Sequence, residues 1–127
     1  MEDLASFDGS QIGPPVGPVA EFAAGVSGKR DAELLGMHYV LEGSTNGGRF
    51  IAMAIRKGLG LEGDRGTRYL DPYGDAQKAR WGEFCAAMSG LSLEATERED
   101  VIAGAERMFG LIIETFDAMS EEASRTP

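Results

Sequence analysis

The chain has 127 residues, with 12 Lys and Arg against 21 Asp and Glu, a net charge of −9. That length predicts a single domain over 1–127 with its own core, and the acidic balance speaks against sequence-independent binding to nucleic acid, which needs a basic footprint. With 43% apolar residues, one cysteine and no apolar run near the ~18 residues of a membrane-spanning helix, the sequence excludes a disordered chain, a disulfide scaffold and a transmembrane helix. The acidic start Met1-Glu2-Asp3 resembles neither a secretory nor a transit leader, so the cytoplasm is the expected compartment.

Residues 1–28 carry Gly9, Gly13, Pro14, Pro15, Gly17 and Pro18, which break helices. They read as a loosely structured connector with a short helix over 19–24. Residues 30–59 read as a long helix with Asp31 as N-cap, anchored by Leu34, Leu35, Leu41, Phe50, Ile51 and Ile55. Gly58 and Gly60 stop it. Residues 61–74 read as a loop. A helix over 75–89 follows, capped by Asp75 and ended by Gly90, with Trp81, Phe84, Cys85 and Met88 on one face. Cys85 there reads as a buried, inert thiol. Ser92 is the expected cap of the last helix. Its core stripe reads Val101, Ala105, Met108, Phe109, Ile112, Phe116 and Met119, and the tail after Ser120 reads as frayed. No alternating strand pattern occurs, so the class is all-α, with a helical core over 30–119.

Eighteen glycines are about twice the usual ~7%. Several fall inside the long helix, where each costs about 1 kcal/mol against Ala. On a helical wheel Gly36, Val40, Gly43, Gly47, Ile51, Ala54 and Gly58 form one stripe, with Gly48 beside it. Such a face admits either a closely packed second helix or a flat ligand lying on the backbone. Gly47-Gly48 is the expected kink. His38, the only histidine, lies opposite the stripe. It reads either as a metal or heme ligand, or as a polar-face residue bonded by Glu42. One histidine and one cysteine do not make a zinc site, and the segment 42–48 lacks the spacing of a phosphate-binding loop.

Charge is uneven. Residues 94–122 hold nine acids and two bases, residues 49–80 seven bases and four acids. The basic middle reads as solvated helix faces or as a seat for a small anionic ligand.

The run Leu35-Gly36-Met37-His38-Tyr39-Val40-Leu41-Glu42-Gly43-Ser44-Thr45-Asn46-Gly47-Gly48-Arg49-Phe50-Ile51 resembles the distal helix of bacterial, biliverdin-producing heme oxygenases. Its specific part is Tyr-Val-Leu-Glu-Gly-Ser followed by Gly-Gly. The later Gly/Pro loop, the opening Ala79-Arg80-Trp81-Gly82-Glu83-Phe84 and the final helix fit the same family. The resemblance implies the heme oxygenase-like helical fold, and cleavage of heme to biliverdin, carbon monoxide and iron with O2 and an external electron-donor protein. It implies Gly43, Ser44, Asn46 and Gly47 as distal catalytic residues. It also implies Gly43, Gly47, Gly48, Ile51 and Arg49 against heme, with Arg49, Arg56 and Lys57 near the propionates. The family binds iron through a proximal histidine on an N-terminal helix, and no histidine precedes His38 here. The expectation is therefore either an N-terminally shortened member or one whose first helices come from another chain, with the uncovered apolar faces closed in a homodimer. The alternatives are a non-catalytic heme-binding or dimerisation module of that descent and a helical protein for a different flat ligand.

Overall fold

Glycine and proline set where the helices of this chain begin, end and touch. The computed structural model describes Asp3 and residues 13–125. Among the described residues from 13 onward, four α-helices follow in order: α1 Gly17–Gly25, α2 Asp31–Leu59, α3 Gln77–Ser89 and α4 Ala95–Arg125. Short 3-10 turns, Val26–Gly28 and Gly74–Ala76, precede α2 and α3. Among the described residues there is no strand, so the protein is all-α. The chain divides into two compact units, one of 13–41 with 93–125, the other of 42–92 with Asp3.

In the first unit α1 packs against α4. The helix expected over 19–24 is longer, because Pro18 sits at the first turn, where its missing N–H costs nothing. The core is Met37, Val40, Met108 and Leu111, with Phe22, Leu34, Ala105 and Ile112 packed on it. Its closest contact is made of backbone. A Cβ on Gly36 would meet the Val101 carbonyl oxygen, and one on Gly104 would meet the Glu33 carbonyl oxygen. Glycine on both helices lets the two backbones touch, and that approach fixes the rotation of α4.

The rotation corrects the expected core stripe. Met108 and Leu111 point inward, whereas Phe109 and Phe116 are 58% and 64% exposed and Met119 is also exposed. Together with Ile102 and Ile113 they leave much of one side of α4 apolar and solvent-facing.

The helix starts also differ from expectation. Asp31 is the first residue of α2 and not its N-cap. The Arg30 N–H donates to Glu33 Oε2 at 3.2 Å, and the Glu94 N–H donates to Glu97 Oε2 at 2.8 Å. Each is the returning half of a capping box, with the carboxylate also favoured by the helix dipole. Ser92 stands two residues before Glu94, which precedes the first helical residue Ala95, and so does not hold the cap position. Arg30 then reaches Asp100 on α4 at 2.5 Å. The tail expected to fray stays helical to Arg125, where Arg125 pairs with Glu121 and Ser124 donates to the Ser120 carbonyl.

In the second unit the later part of α2 passes through Gly47 and Gly48 without ending. It stops where Gly60 takes φ 63°, which lets the Leu61 N–H close onto the Arg56 carbonyl at 3.0 Å. Asp75 does not cap α3. It lies in the 3-10 turn and pairs with Arg49 at 2.6 Å. Trp81, Phe84, Cys85 and Met88 share a half-buried face, so Cys85 is less enclosed than expected. The Trp81 and Phe84 rings stack at 5.8 Å.

Gly36→Ala and Gly104→Ala each drive a methyl into a carbonyl of the facing helix. Each should cost about 3 kcal/mol, at the upper end of overpacking, measured by urea unfolding. Ala at both positions should cost less than the sum, because one separation of the helices relieves both collisions.

Candidate functional site

The site is built on the middle of α2, where three glycines fall within six residues, 43–48. Structure separates their uses. Gly48 is buried, and a Cβ there would meet the Leu70 carbonyl oxygen. Gly43 faces the Trp81 ring, whose nearest atom would lie 3.4 Å from an added Cβ. At Gly47 nothing lies within 4 Å, and the same holds at Gly58. Ile51, 54% exposed, and Ala54 stand between them on the helix. The result is an open apolar strip whose middle lacks side chains, so the backbone itself is presented.

Behind the strip the polar residues are tied together. Thr45 Oγ1 donates to the Glu42 carbonyl at 2.6 Å, and Asn46 Nδ2 donates to the Gly43 carbonyl at 3.1 Å. Both side chains receive hydrogen bonds from Gln77 Nε2, at 2.7 Å to Thr45 Oγ1 and 3.2 Å to Asn46 Oδ1. Gln77 begins α3 and is only 5% exposed. Sequence reasoning missed it, for a lone Gln at a helix start carries no signal until its partners are known. Ser44 is exposed on α2.

The arginines face inward to the loop. Arg49 donates to the Gly74 carbonyl at 2.9 Å and to Asp75. Arg56 donates to Thr67 Oγ1 at 2.7 Å and, through both terminal nitrogens, to Asp71 Oδ2 at 3.2 Å. Thr67 is 1% exposed, the Asp71 side chain 6%. Asp71 also accepts the Gly74 N–H, and Asp3 accepts the N–H groups of Arg68 and Tyr69. Arg56 therefore serves the 61–74 loop, and Lys57 is the exposed cation beside it.

A flat macrocycle needs an apolar face it can approach closely, and Gly47, Ile51 and Ala54 supply one. They do not supply an iron ligand. His38 is an exposed residue of α2 within the other unit, and no imidazole belongs to residues 42–92. Among the described residues, no group of three or more His, Cys, Asp or Glu could hold a metal ion. Nor is any helix there long and apolar enough to cross a membrane. The residues present thus offer one open apolar face and, within 42–92, no imidazole beside it.

Tyr73 donates its hydroxyl to Glu42 Oε2 at 3.2 Å. That bond to a carboxylate, aided by burial, holds the phenol above its usual pKa. Raised in the folded state, its contribution is complete below pH ~10 and fades as the pH rises through the folded value. Glu42→Gln should bring the Tyr73 ionisation back down in an alkaline ultraviolet titration. Breaking the buried pair with Asp71→Ala should destabilise the chain by about 3 kcal/mol. Gly47→Ala, with nothing to collide with, should stabilise the ligand-free chain by up to about 1 kcal/mol.

Comparison with known proteins points one way. The family model described as Heme oxygenase matches residues 2–118. A protein named Heme oxygenase from Xanthomonas campestris pv. campestris (strain 8004) is 40% identical over 80 residues, 62% of this chain. The match covers 47% of that protein, so the chain spans about half the length of the curated relative. No solved structure matches. A family match over nearly the whole chain, on an all-α fold with the glycine-rich helix open at Gly47, means that this chain belongs to the heme oxygenase family.

Proposed function

We propose that the chain takes heme against the open strip of α2 and takes part in its oxidative cleavage to biliverdin, carbon monoxide and iron. O2 and an external electron-donor protein complete the reaction. The observation that carries this reading is Gly47, a helical position where an added Cβ would meet nothing within 4 Å beyond the adjacent residues and backbone of its own helix. Such a position, costly to a helix, is explained by something lying against the backbone.

Bound heme supplies the iron at which O2 is activated and the ring that is cut. The protein's part is placement. Gly47 presents backbone, with Gly43 next to it under the Trp81 ring, Ile51 and Ala54 give apolar contact, Ser44 brings a small hydroxyl to the same stretch, and Asn46 braces it from behind. Gly48 and Arg49 work from behind: Gly48 seats the helix on Leu70, and Arg49 ties it to the Gly74–Ala76 turn. Lys57 is the cation for the heme carboxylates, and whether His38, the only imidazole in the chain, serves iron is read from His38→Ala.

A second reading has one observation in its favour. The strip offers no imidazole, and a neutral imidazole is the expected ligand for this chemistry. In that reading the chain is a non-catalytic heme-binding or homodimerisation module.

A heme titration read by absorbance separates them. Saturation near one heme per chain, abolished by Gly47→Leu in a variant that keeps its helical circular dichroism, is the expected result. Turnover with a reductant then marks the enzyme, and saturable binding without turnover marks the module. Heme binding unaffected by His38→Ala would remove His38 as iron ligand. A folded chain that binds no heme would overturn the proposal.

A further inference from the structure

We propose that Gln77 is a positioning residue that fixes the backbone of α2 at Gly43 and Gly47. Its importance to a ligand rests on the reading of that stretch as the heme face; its action on the helix does not.

The evidence is the polarity of a hydrogen-bond chain. The Gly43 carbonyl can only accept, so the Asn46 amide must turn Nδ2 toward it, and does so at 3.1 Å. Asn46 Oδ1 is then left facing Gln77, which must answer with its own NH2, at 3.2 Å. The same Nε2 reaches Thr45 Oγ1 at 2.7 Å, and the Thr45 hydroxyl spends its proton on the Glu42 carbonyl. Every orientation follows from the two main-chain carbonyls. The cost appears at the far end. Gln77 Oε1 is buried with no partner. Turning the amide over would satisfy nothing, because it would set oxygen against Asn46 Oδ1.

One buried NH2 group thus fastens two consecutive carbonyls of α2, through one side chain each. In an α-helix those carbonyls also accept the N–H groups of Asn46 and Gly47. These are the turns with the least side-chain support, since Gly43, Gly47 and Gly48 bring no rotamers to lock them. Gln77 supplies from α3 the rigidity that this run of glycine gives up. A ligand seated on bare backbone meets a surface whose shape Gln77 sets, although Gln77 is itself buried.

The test uses the whole chain without heme. Amide hydrogen exchange is compared by NMR between the natural chain and Gln77→Glu, which keeps size and removes both donated bonds. Exchange should quicken about tenfold or more at Asn46 and Gly47, the loss of roughly one hydrogen bond, and stay unchanged at Met37, Val40, Met108 and Leu111. Asn46→Ala, which cuts the chain at its middle, should reproduce the effect at Gly47 should Gln77→Glu not fold. Equal acceleration at all these amides would reduce Gln77 to general stability, and no change would overturn its role. A shifted Soret band in heme-loaded Gln77→Glu extends the result to the ligand. A natural chain that takes up no heme defeats the ligand reading and leaves the exchange result standing.

Discussion

Backbone touching backbone is the constraint on which the rest depends. Where α2 meets α4, Gly36 faces the Val101 carbonyl and Gly104 faces the Glu33 carbonyl, and neither glycine can be replaced without moving a main chain. The dispersion gained from many close atom pairs replaces what larger side chains would bring. That contact decides the phase of α4, so Met108 and Leu111 become core, and it brings Asp100 within reach of Arg30. The other unit repeats the device with a loop instead of a helix, Gly48 seated on the Leu70 carbonyl.

Much of this was readable in the sequence. The all-α class, the long glycine-bearing helix and the family follow from periodicity and from one run of residues. What periodicity could not supply was the direction of each side chain around its helix. Met108 and Phe109 are adjacent and both apolar, 100° apart on the wheel. Either could lead the core stripe, and only the glycine contact with α2 chooses Met108. Gly47 and Gly48 pose the same problem. As neighbours they read alike, yet one is open and the other sealed against Leu70. Gln77 was unreadable for a different reason, since its partners lie 31 and 32 residues away and none is unusual in itself.

The arginines show how local carboxylates claim charge. A cluster of bases near a glycine-rich helix suggests an anionic ligand, yet Arg49 and Arg56 are spent on Asp75 and Asp71. Both hold the 61–74 loop and the turn after it. That loop is also the surface on which Gly48 rests, so the charges serve the glycine run indirectly. What remains for a ligand at Gly47 is shape: bare backbone bordered by Ile51 and Ala54, stiffened from the opposite side by an amide network.

The order of the chain within its two units has a kinetic side. The longer ties within residues 42–92 span 11 to 32 positions, as from Arg56 to Thr67 and from Thr45 to Gln77. The glycine contact between Gly36 and Val101 closes a loop of about 65 residues, a larger entropic demand. As the chain leaves the ribosome, the segment with short ties can settle early. Its partner unit stays open, Met37 and Val40 uncovered, until α4 has been made. The last quarter of the sequence is thus what completes a core begun near residue 34, and a chain halted short of it would carry a finished glycine face in one unit and an unfinished hydrophobic core in the other.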